Sequence, residues 1–348
     1  MGKNWIKVAI VVTVVIVGLA FWLVPRWYTT NDSNVTLTYQ TPISDSDFDA
    51  LIDEKLGVST KFSFARVARL RGLDLTVKGS TTLVLQPHTS IWNLIKLLVR
   101  YQRDQQLVTI LSHWEMPQFQ TRVSKQFGWS ATELGEELMD PTNHKRWNQQ
   151  TWLSEKGINS YNWQAIAIPN SYLFKKGTTP IQFLDRLVGE AHDFWTKERM
   201  LAAKELDLTP VEVVALASIV TKESNHVPEY GKIAATYKNR LRKKMLLQAD
   251  PTVVFARGKA GRVLLRDTKI VSPYNTYLNQ GLPIGALCIP SVNAIDSCLF
   301  GAAYPYVYFC AKSDLTPQHD FAISLDEHNK NAQRYHRALN EFQRKKKQ

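Results

Sequence analysis

Cysteine is scarce in this chain of 348 residues, which contains only Cys288, Cys298 and Cys310. The sequence has no CxxC pair and no zinc-ligand spacing, and its histidines at 226, 319 and 328 also lack such spacing. A metal site built from these residues is therefore not expected. The three thiols allow two interpretations, either buried structural cysteines or one disulfide with one free cysteine, and the first is favoured.

Nucleotide-binding and nucleic-acid-binding motifs are also missing. We find no glycine-rich phosphate loop, no zinc-finger spacing and no RNP-like string. The formal net charge of +12 nevertheless predicts an anionic partner, and lipid headgroups or an acidic polymer then fit better than nucleic acid. The basic tail at 344–347 adds to this excess and is typical of a solvated, frayed end.

One long apolar run, from Val8 to Val24, lies close to the N-terminus. With the residues before it, the run approaches the ~20 residues that span a bilayer. Lys3 and Lys7 precede it and only Arg26 follows closely, which favours a cytoplasmic N-terminus. A cleaved signal peptide is the alternative, but no small-x-small cleavage site follows. We predict an uncleaved anchor over residues 1–28, with the rest of the chain outside the cytoplasmic membrane.

Three further regions follow the anchor. Residues 30–105 combine strand-like alternation with helical spacing and predict a small α+β module. Residues 106–206 are a mixed connecting region, in which Pro180 to Leu206 reads as one long amphipathic helix. Residues 207–348 form the last domain, which begins at the capping sequence Thr209-Pro210-Val211-Glu212.

Glu223 stands at the end of the helix that this cap begins. The helix is apolar on nearly every side, so it is expected to be buried. Leu216, Ile219 and Val220 share a helical face with Glu223. Desolvation beside them would raise the pKa of the carboxyl and allow it to donate a proton near neutral pH. The alternative is a solvated helix-terminal glutamate paired with Lys222.

Three polar, turn-rich stretches follow, at 247–253, 273–277 and 281–285. They concentrate amides, hydroxyls and aromatic rings, a composition suited to binding sugars on loops. Ordinary turn chemistry, with helix initiation at Asp250-Pro251 and turns at Gly281 and Gly285, is the alternative. The candidate substrate-binding residues are Gln248, Asp250, Tyr274, Asn275, Thr276 and Tyr277.

Residues 217–224, ASIVTKES, resemble the A-S-I-V/I-E-K-E-T signature of the endolytic murein transglycosylases, the MltG/YceG-like family. Further family blocks follow in the same order: Asn239-Arg240-Leu241, LQADPTV at 247–253, YNTY at 274–277, GLPIG at 281–285 and His328-Asn329. Two departures stand out. Thr221 replaces the first glutamate of the signature, and residues 164–172 read QAIAIPNSY where the family has E-G-x-x-x-P-D-T-Y.

The resemblance implies an α+β protein with an N-terminal transmembrane helix, a LysM-like module at 30–105 and a mixed α/β catalytic domain at 207–348. It also implies that Glu223 is catalytic and that the activity is endolytic. The bond cut would be the MurNAc-GlcNAc bond inside peptidoglycan strands. Cleavage would leave 1,6-anhydroMurNAc ends and would limit the length of nascent strands.

The implied reaction needs no metal and no organic cofactor. A lysozyme-like hydrolase is the alternative enzyme, with Asp250, Asp267 or Glu229 as its second carboxylate. A non-catalytic wall-binding scaffold is the alternative of another class. The expected partners are glycan strands, the cytoplasmic membrane and peptidoglycan synthases, with no nucleic acid, and the expected location is the outer, periplasmic face of the inner membrane.

Overall fold

A computed structural model describes residues 35–57, 63–76, 79–85, 89–153 and 157–347. The predicted anchor at 1–28 lies outside these residues. Among the helices that are described, none is both long enough and apolar enough to cross a membrane. The architecture is α+β and rich in helix, as the sequence predicts, and it divides into two compact units.

The first unit contains the described part of residues 1–108 and residues 171–177. Its elements are β1 (Val35–Thr41), α1 (Asp45–Leu56), α2 (Phe64–Leu70), β2 (Gly79–Leu85), α3 (Ile91–Arg103), β3 (Gln105–Ile110) and β4 (Asn170–Lys175). Strands β1 and β2 pair antiparallel, with Val35 opposite Leu85 and Thr41 opposite Gly79. Strands β3 and β4 pair in a second two-stranded sheet. The apolar faces of α1, α2 and α3 pack on β1 and β2 around the buried side chains of Leu37, Phe48, Ile52 and Leu94.

The second unit contains residues 109–170 and 178–348, so most of the predicted connecting region lies within it. Its helices are α4 (Met116–Phe127), α5 (Ala131–Met139), α6 (Pro141–Trp147), α7 (Pro180–Phe194), α8 (Lys197–Glu205), α9 (Pro210–Glu223), α10 (Tyr230–Arg242), α11 (Asp250–Arg257), α12 (Val292–Phe300) and α13 (Leu325–Lys347). An antiparallel hairpin joins β5 (Tyr308–Ala311) to β6 (His319–Ala322).

Helix α9 is the buried centre of this unit, and it packs against α10 and α12. A capping box closes its N-terminus: the Thr209 hydroxyl accepts from the Glu212 amide, and the Glu212 carboxylate accepts from the Thr209 amide at 2.9 Å. Its two buried hydroxyls fix a neighbouring loop, because Ser218 accepts from the Leu287 amide at 2.9 Å and Thr221 accepts from the Ser291 amide at 3.1 Å. The end of α9, where Glu223 lies, is therefore held rigidly.

The prediction of one helix from Pro180 to Leu206 is wrong, because α7 ends at Phe194 and α8 begins at Lys197. Trp195 has left the helical conformation and is buried. The hydroxyl of Thr196 then accepts a hydrogen bond from the Arg199 amide and caps the new helix. The amphipathic pattern continues through this break, which is why periodicity alone does not show it.

The three cysteines are free, so the interpretation with one disulfide is wrong. Cys288 and Cys298 are buried and Cys310 is partly exposed. Burial raises the pKa of the Cys288 and Cys298 thiols to about 12, which leaves both protonated and unreactive near neutral pH.

Gly285 lies at a close approach between two backbone segments of the second unit. A methyl group at this position would overlap the backbone carbonyl of Tyr161. Gly285→Ala should therefore lower the free energy of unfolding by about 1–3 kcal/mol. Gly189→Ala is the matched control, because this exposed glycine within α7 has open space around it and alanine should stabilise the helix by roughly 0.5–1 kcal/mol. Urea unfolding of both variants checks the pair, and equal effects would contradict the close approach.

Candidate active site

Glu223 is the last residue of α9 and lies partly buried in the wall of a cavity. The pairing with Lys222 that the alternative interpretation allowed is wrong, because the ammonium of Lys222 instead binds the carboxylate of Glu115 at 2.6 Å. Lys222 is therefore engaged away from Glu223.

The pKa of Glu223 is raised from 4.5 to about 7. Desolvation by the buried helix end is the largest cause, and the negative charge of Asp250 raises the pKa further. Two groups oppose these effects, namely a hydrogen bond from the Tyr237 hydroxyl and the positive charge of Arg240. A carboxyl with this pKa exists in both protonation states near neutral pH, so it can act as an acid and then as a base.

Helix α10 supplies the two groups that oppose the high pKa. Tyr237 is buried against Phe309, and its hydroxyl donates to Oε1 of Glu223. Oε1 of Glu223 is therefore engaged by the protein itself. Arg240 is also buried and donates to the carbonyls of Val307 at 2.7 Å and Leu247 at 2.9 Å. The arginine thus fixes two loops while its charge acts on Glu223.

Two of the six predicted substrate-binding residues meet directly beside Glu223. The Tyr277 hydroxyl donates to Oδ1 of Asp250 at 2.7 Å, and both side chains line the same cavity as Glu223. Asp250 is the first residue of α11 but does not cap it, since Ala249 occupies the cap position. Gln248 is exposed, lines this cavity and has a positive φ of 47°.

Asn275 and Thr276 are not brought to the cavity wall, because both are buried, with exposed fractions of 0% and 1%. The Asn275 amide donates to the carbonyls of Thr268 and Ile270 at 2.9 and 2.7 Å. The Thr276 hydroxyl accepts from the Ala249 amide at 3.0 Å. The side-chain oxygen of Asn275 also accepts from the Tyr277 amide at 3.0 Å. Thr276 thus holds the loop that carries Asp250, and Asn275 holds the one that carries Tyr277.

Tyr274 is partly exposed and lies to one side of this group. Its ring packs on Phe255 with ring centroids 4.5 Å apart, and its hydroxyl donates to the Tyr161 carbonyl at 3.3 Å. Phe255 lines one of the two cavities described next, so Tyr274 supports that wall from behind.

Two cavities meet at the catalytic candidate. One has a volume of about 510 Å³ and the other about 860 Å³. Four residues line both of them, namely Glu223, Asp250, Arg262 and Val263. Glu223 thus lines both cavities, and their combined space can accept more than one sugar unit.

The two departures from the family pattern occupy structural positions. Thr221 is buried and holds the Ser291 amide. Gln164 is also buried and donates to the Ala286 carbonyl at 2.8 Å. Each side chain therefore fixes a part of the loop at 284–291.

Sequence reasoning missed Tyr237 as a site residue, because its helical spacing matches an ordinary core position. It also missed the pair formed by Glu229 and His319: the carboxylate of Glu229 accepts from the His319 amide at 2.9 Å, and its other oxygen lies 3.0 Å from the His319 ring. No sequence signal links residues 90 positions apart. Within the described ranges, no group of three or more His, Cys, Asp and Glu side chains is placed to hold a metal ion.

Tyr237→Phe removes one hydroxyl from the site and keeps the ring. Because the lost hydrogen bond lowers the pKa of Glu223, the pKa should rise further in this variant. If Glu223 must be protonated to act, the alkaline limb of the kcat/KM profile on a glycan substrate should move to higher pH. Tyr274→Phe is the control, since that hydroxyl contacts Tyr161 and not Glu223, and its alkaline limb should not move. An unmoved limb in Tyr237→Phe would contradict the role of this hydrogen bond.

Comparisons with known proteins agree with the motifs. The sequence profile of the YceG-like family matches residues 48–334. An endolytic murein transglycosylase of Bacillus subtilis is 33% identical over 179 residues, which cover 51% of this chain and 49% of that protein. One of Streptococcus pneumoniae is 31% identical over 178 residues, which cover 49% of this chain and 32% of that protein. The chain thus spans about half the length of the first relative and a third of the second.

A 2.6 Å crystal structure of a YceG-like protein from Listeria monocytogenes has a similar fold. Its TM-score is 0.57 at 22% sequence identity, and the match covers 86% of this chain and 99% of that one. Since the family profile extends from residue 48 to residue 334, this protein belongs to the YceG-like family.

Proposed function

We propose that this protein is an endolytic lytic transglycosylase that cleaves the MurNAc-GlcNAc bond inside peptidoglycan strands. The observation that carries the proposal is the Glu223 carboxyl, whose pKa of about 7 lies near neutrality and which is reached from two cavities. The relatives named as endolytic murein transglycosylases support it.

The reaction would use Glu223 twice. In the first step the protonated carboxyl donates its proton to the glycosidic oxygen, and the bond from that oxygen to C1 of MurNAc breaks. In the second step the carboxylate takes the proton from the C6 hydroxyl while the C6 oxygen attacks C1. The products are a GlcNAc end and a 1,6-anhydroMurNAc end, and Glu223 is protonated again. Water is not consumed.

A raised pKa serves both steps. At neutral pH enough of Glu223 is protonated to begin the reaction, and its conjugate base is strong enough to assist the attack. We assign Oε2 to proton transfer, because Oε1 accepts the Tyr237 hydrogen bond.

The lysozyme-like alternative rests on Asp250. Of its three candidate second carboxylates, Asp267 is bound by Arg257 at 2.6 Å and Glu229 is bound by His319. Asp250 lines both cavities with Glu223. A retaining hydrolase would need Asp250 as its nucleophile, and an inverting hydrolase would need Asp250 as its general base.

The remaining site residues have distinct proposed roles. Gln248, Asp250 and Tyr277 line the larger cavity and would contact the glycan. Tyr274 would support the smaller cavity through Phe255. Asn275 and Thr276 would position these groups from beneath, through their bonds to backbone atoms.

The placement of the enzyme is also part of the proposal. Residues 1–28 would anchor it in the cytoplasmic membrane, with residues 30–105 as a LysM-like module, 106–206 as the connecting region and 207–348 as the catalytic domain. The catalytic domain would face the periplasm, where nascent strands and their synthases are. The apolar run at 8–24 and the net charge of +12 support this placement.

Digestion of long, uncrosslinked glycan by the full chain in detergent tests the reaction. Average chain length should fall early, before disaccharides accumulate, and each new muramic end should be ~18 Da lighter than a hydrolytic end, because the C6 oxygen replaces water. Glu223→Gln should lose roughly 10²–10⁴-fold in rate. Asp250→Asn should still yield anhydro ends, whatever its rate.

The possible failures of this digestion separate the alternatives. Muramic ends of full mass, together with loss of turnover in Asp250→Asn, would establish the hydrolase instead. Disaccharide release from the start would contradict endolytic cleavage alone. Equal turnover by wild type and Glu223→Gln would remove Glu223 from the mechanism.

A further inference from the structure

A loop of the second unit exposes aliphatic side chains that a folded protein normally buries. We call residues 259–271 the basic apolar loop. In this loop Leu265 is 81% exposed, Val271 is 94% exposed and Leu264 is 44% exposed. Exposed aliphatic side chains grouped in one short segment and rimmed by charge are typical of an interaction surface.

The exposed charge of the loop has one sign. Four exposed cations lie within its 13 residues, namely Lys259, Arg262, Arg266 and Lys269. Its single acidic residue, Asp267, is buried and bound by Arg257 outside the loop at 2.6 Å. The loop therefore presents positive charge and aliphatic side chains, with no exposed carboxylate.

Four side-chain hydrogen bonds hold this exposed segment in place. The Asp267 carboxylate accepts from the Leu264 amide at 2.9 Å, and the Thr268 hydroxyl donates to the Leu265 carbonyl at 2.8 Å. From outside the loop, Asn275 donates to the carbonyls of Thr268 and Ile270. Leu265 and Val271 are thus held outward by a built framework.

We propose that the basic apolar loop docks on the surface of a bilayer that contains anionic phospholipids. Leu265 and Val271 enter the boundary between headgroups and acyl chains, and the four cations contact lipid phosphates. Charge complementarity alone would also fit an acidic wall polymer. A hydrophilic polymer, however, gives the two aliphatic side chains nothing to bury against, and the loop has no aromatic ring on which a sugar could stack.

The docked loop is part of the active-site wall. Arg262 and Val263 belong to it and line both cavities that meet at Glu223. Lipid docking would therefore hold the cavity mouths beside the membrane surface. This contact is distinct from the predicted anchor at 1–28, and it does not depend on which reaction Glu223 performs.

The test must detect the loop itself, because an anchored chain would bind any bilayer. A bimane fluorophore attached to the cysteine of Val271→Cys reports on the loop. Cys310→Ser removes the partly exposed natural cysteine. Cys288 and Cys298 should not react with the label, because both are buried and their thiol pKa values are raised. The full chain is placed in nanodiscs that contain nitroxide-labelled lipid, made either from phosphatidylcholine alone or from phosphatidylcholine with phosphatidylglycerol. Leu201→Cys in the same background is the control, because Leu201 lies on α8, outside the loop, and its side chain is 62% exposed.

Lipid docking predicts roughly twofold or greater quenching at position 271 relative to position 201 in the anionic nanodiscs, with less in the neutral ones. Adding Arg266→Gln and Lys269→Gln should reduce the quenching at position 271, as should high salt. Equal quenching at the two positions in anionic nanodiscs would overturn the proposal. Quenching of the bimane by aqueous iodide gives a second readout. If only purified peptidoglycan shields position 271 from iodide, the loop binds the wall polymer and the lipid proposal is overturned.

Discussion

Desolvation of one carboxyl group is the constraint on which the candidate active site depends. Helix α9 is buried along almost its whole length, and Glu223 ends it at the point where two cavities meet. Burial raises the pKa of Glu223 to about 7, so its ionisation costs free energy that the rest of the fold must supply. The capping box at Thr209 and the hydroxyls of Ser218 and Thr221 hold helix α9 in the position that keeps Glu223 desolvated.

The groups around Glu223 form two layers with different tasks. Tyr237, Asp250 and Arg240 act on its pKa, the tyrosine and the arginine lowering it and the aspartate raising it. Beneath them, Asn275 and Thr276 bind backbone atoms and fix the loops. Desolvation and the opposing effects of this first layer together place the pKa of Glu223 near neutrality. In the second layer, Thr276 holds the loop that carries Asp250. Proton donation and proton return by one group both require a pKa near neutrality.

The sequence predicts best where local chemistry decides the structure. The cap at Thr209-Pro210-Val211-Glu212, the buried helix after it and the elevated pKa of Glu223 follow from propensity, periodicity and burial. The break between α7 and α8 does not, because a single capping threonine within a continuous amphipathic pattern is a weak signal. The pairing of Lys222 with Glu115 could not be predicted either, since the two residues are 107 positions apart in the chain.

Composition also cannot say which way a polar side chain faces. Asp250 and Asn275 both lie in turn-rich, polar stretches, yet the first reaches a cavity and the second is buried beneath it. That difference depends on which backbone carbonyls the folded loop leaves without partners, and these carbonyls are set by tertiary structure. Similarly, the basic apolar loop reads as an ordinary connection in sequence, and only the exposed fractions of Leu265 and Val271 distinguish it.

The dependence of stability on pH tests the raised pKa of Glu223 most directly, because it needs no substrate. The pKa in the folded protein, about 7, exceeds the ordinary value of 4.5, so the folded state binds the proton more tightly. The carboxyl therefore destabilises the fold increasingly as pH rises from 4.5 through 7, by roughly 3 kcal/mol at most.

A glutamine at position 223 avoids this free-energy cost because it does not ionise. Glu223→Gln should thus be more stable than wild type at pH 8, and the difference in unfolding free energy should shrink to about 1 kcal/mol at pH 5 and close below pH 4.5. Glu205→Gln, an exposed position, corrects for the lost charge. A corrected difference that stays constant from pH 5 to pH 8 would contradict the account.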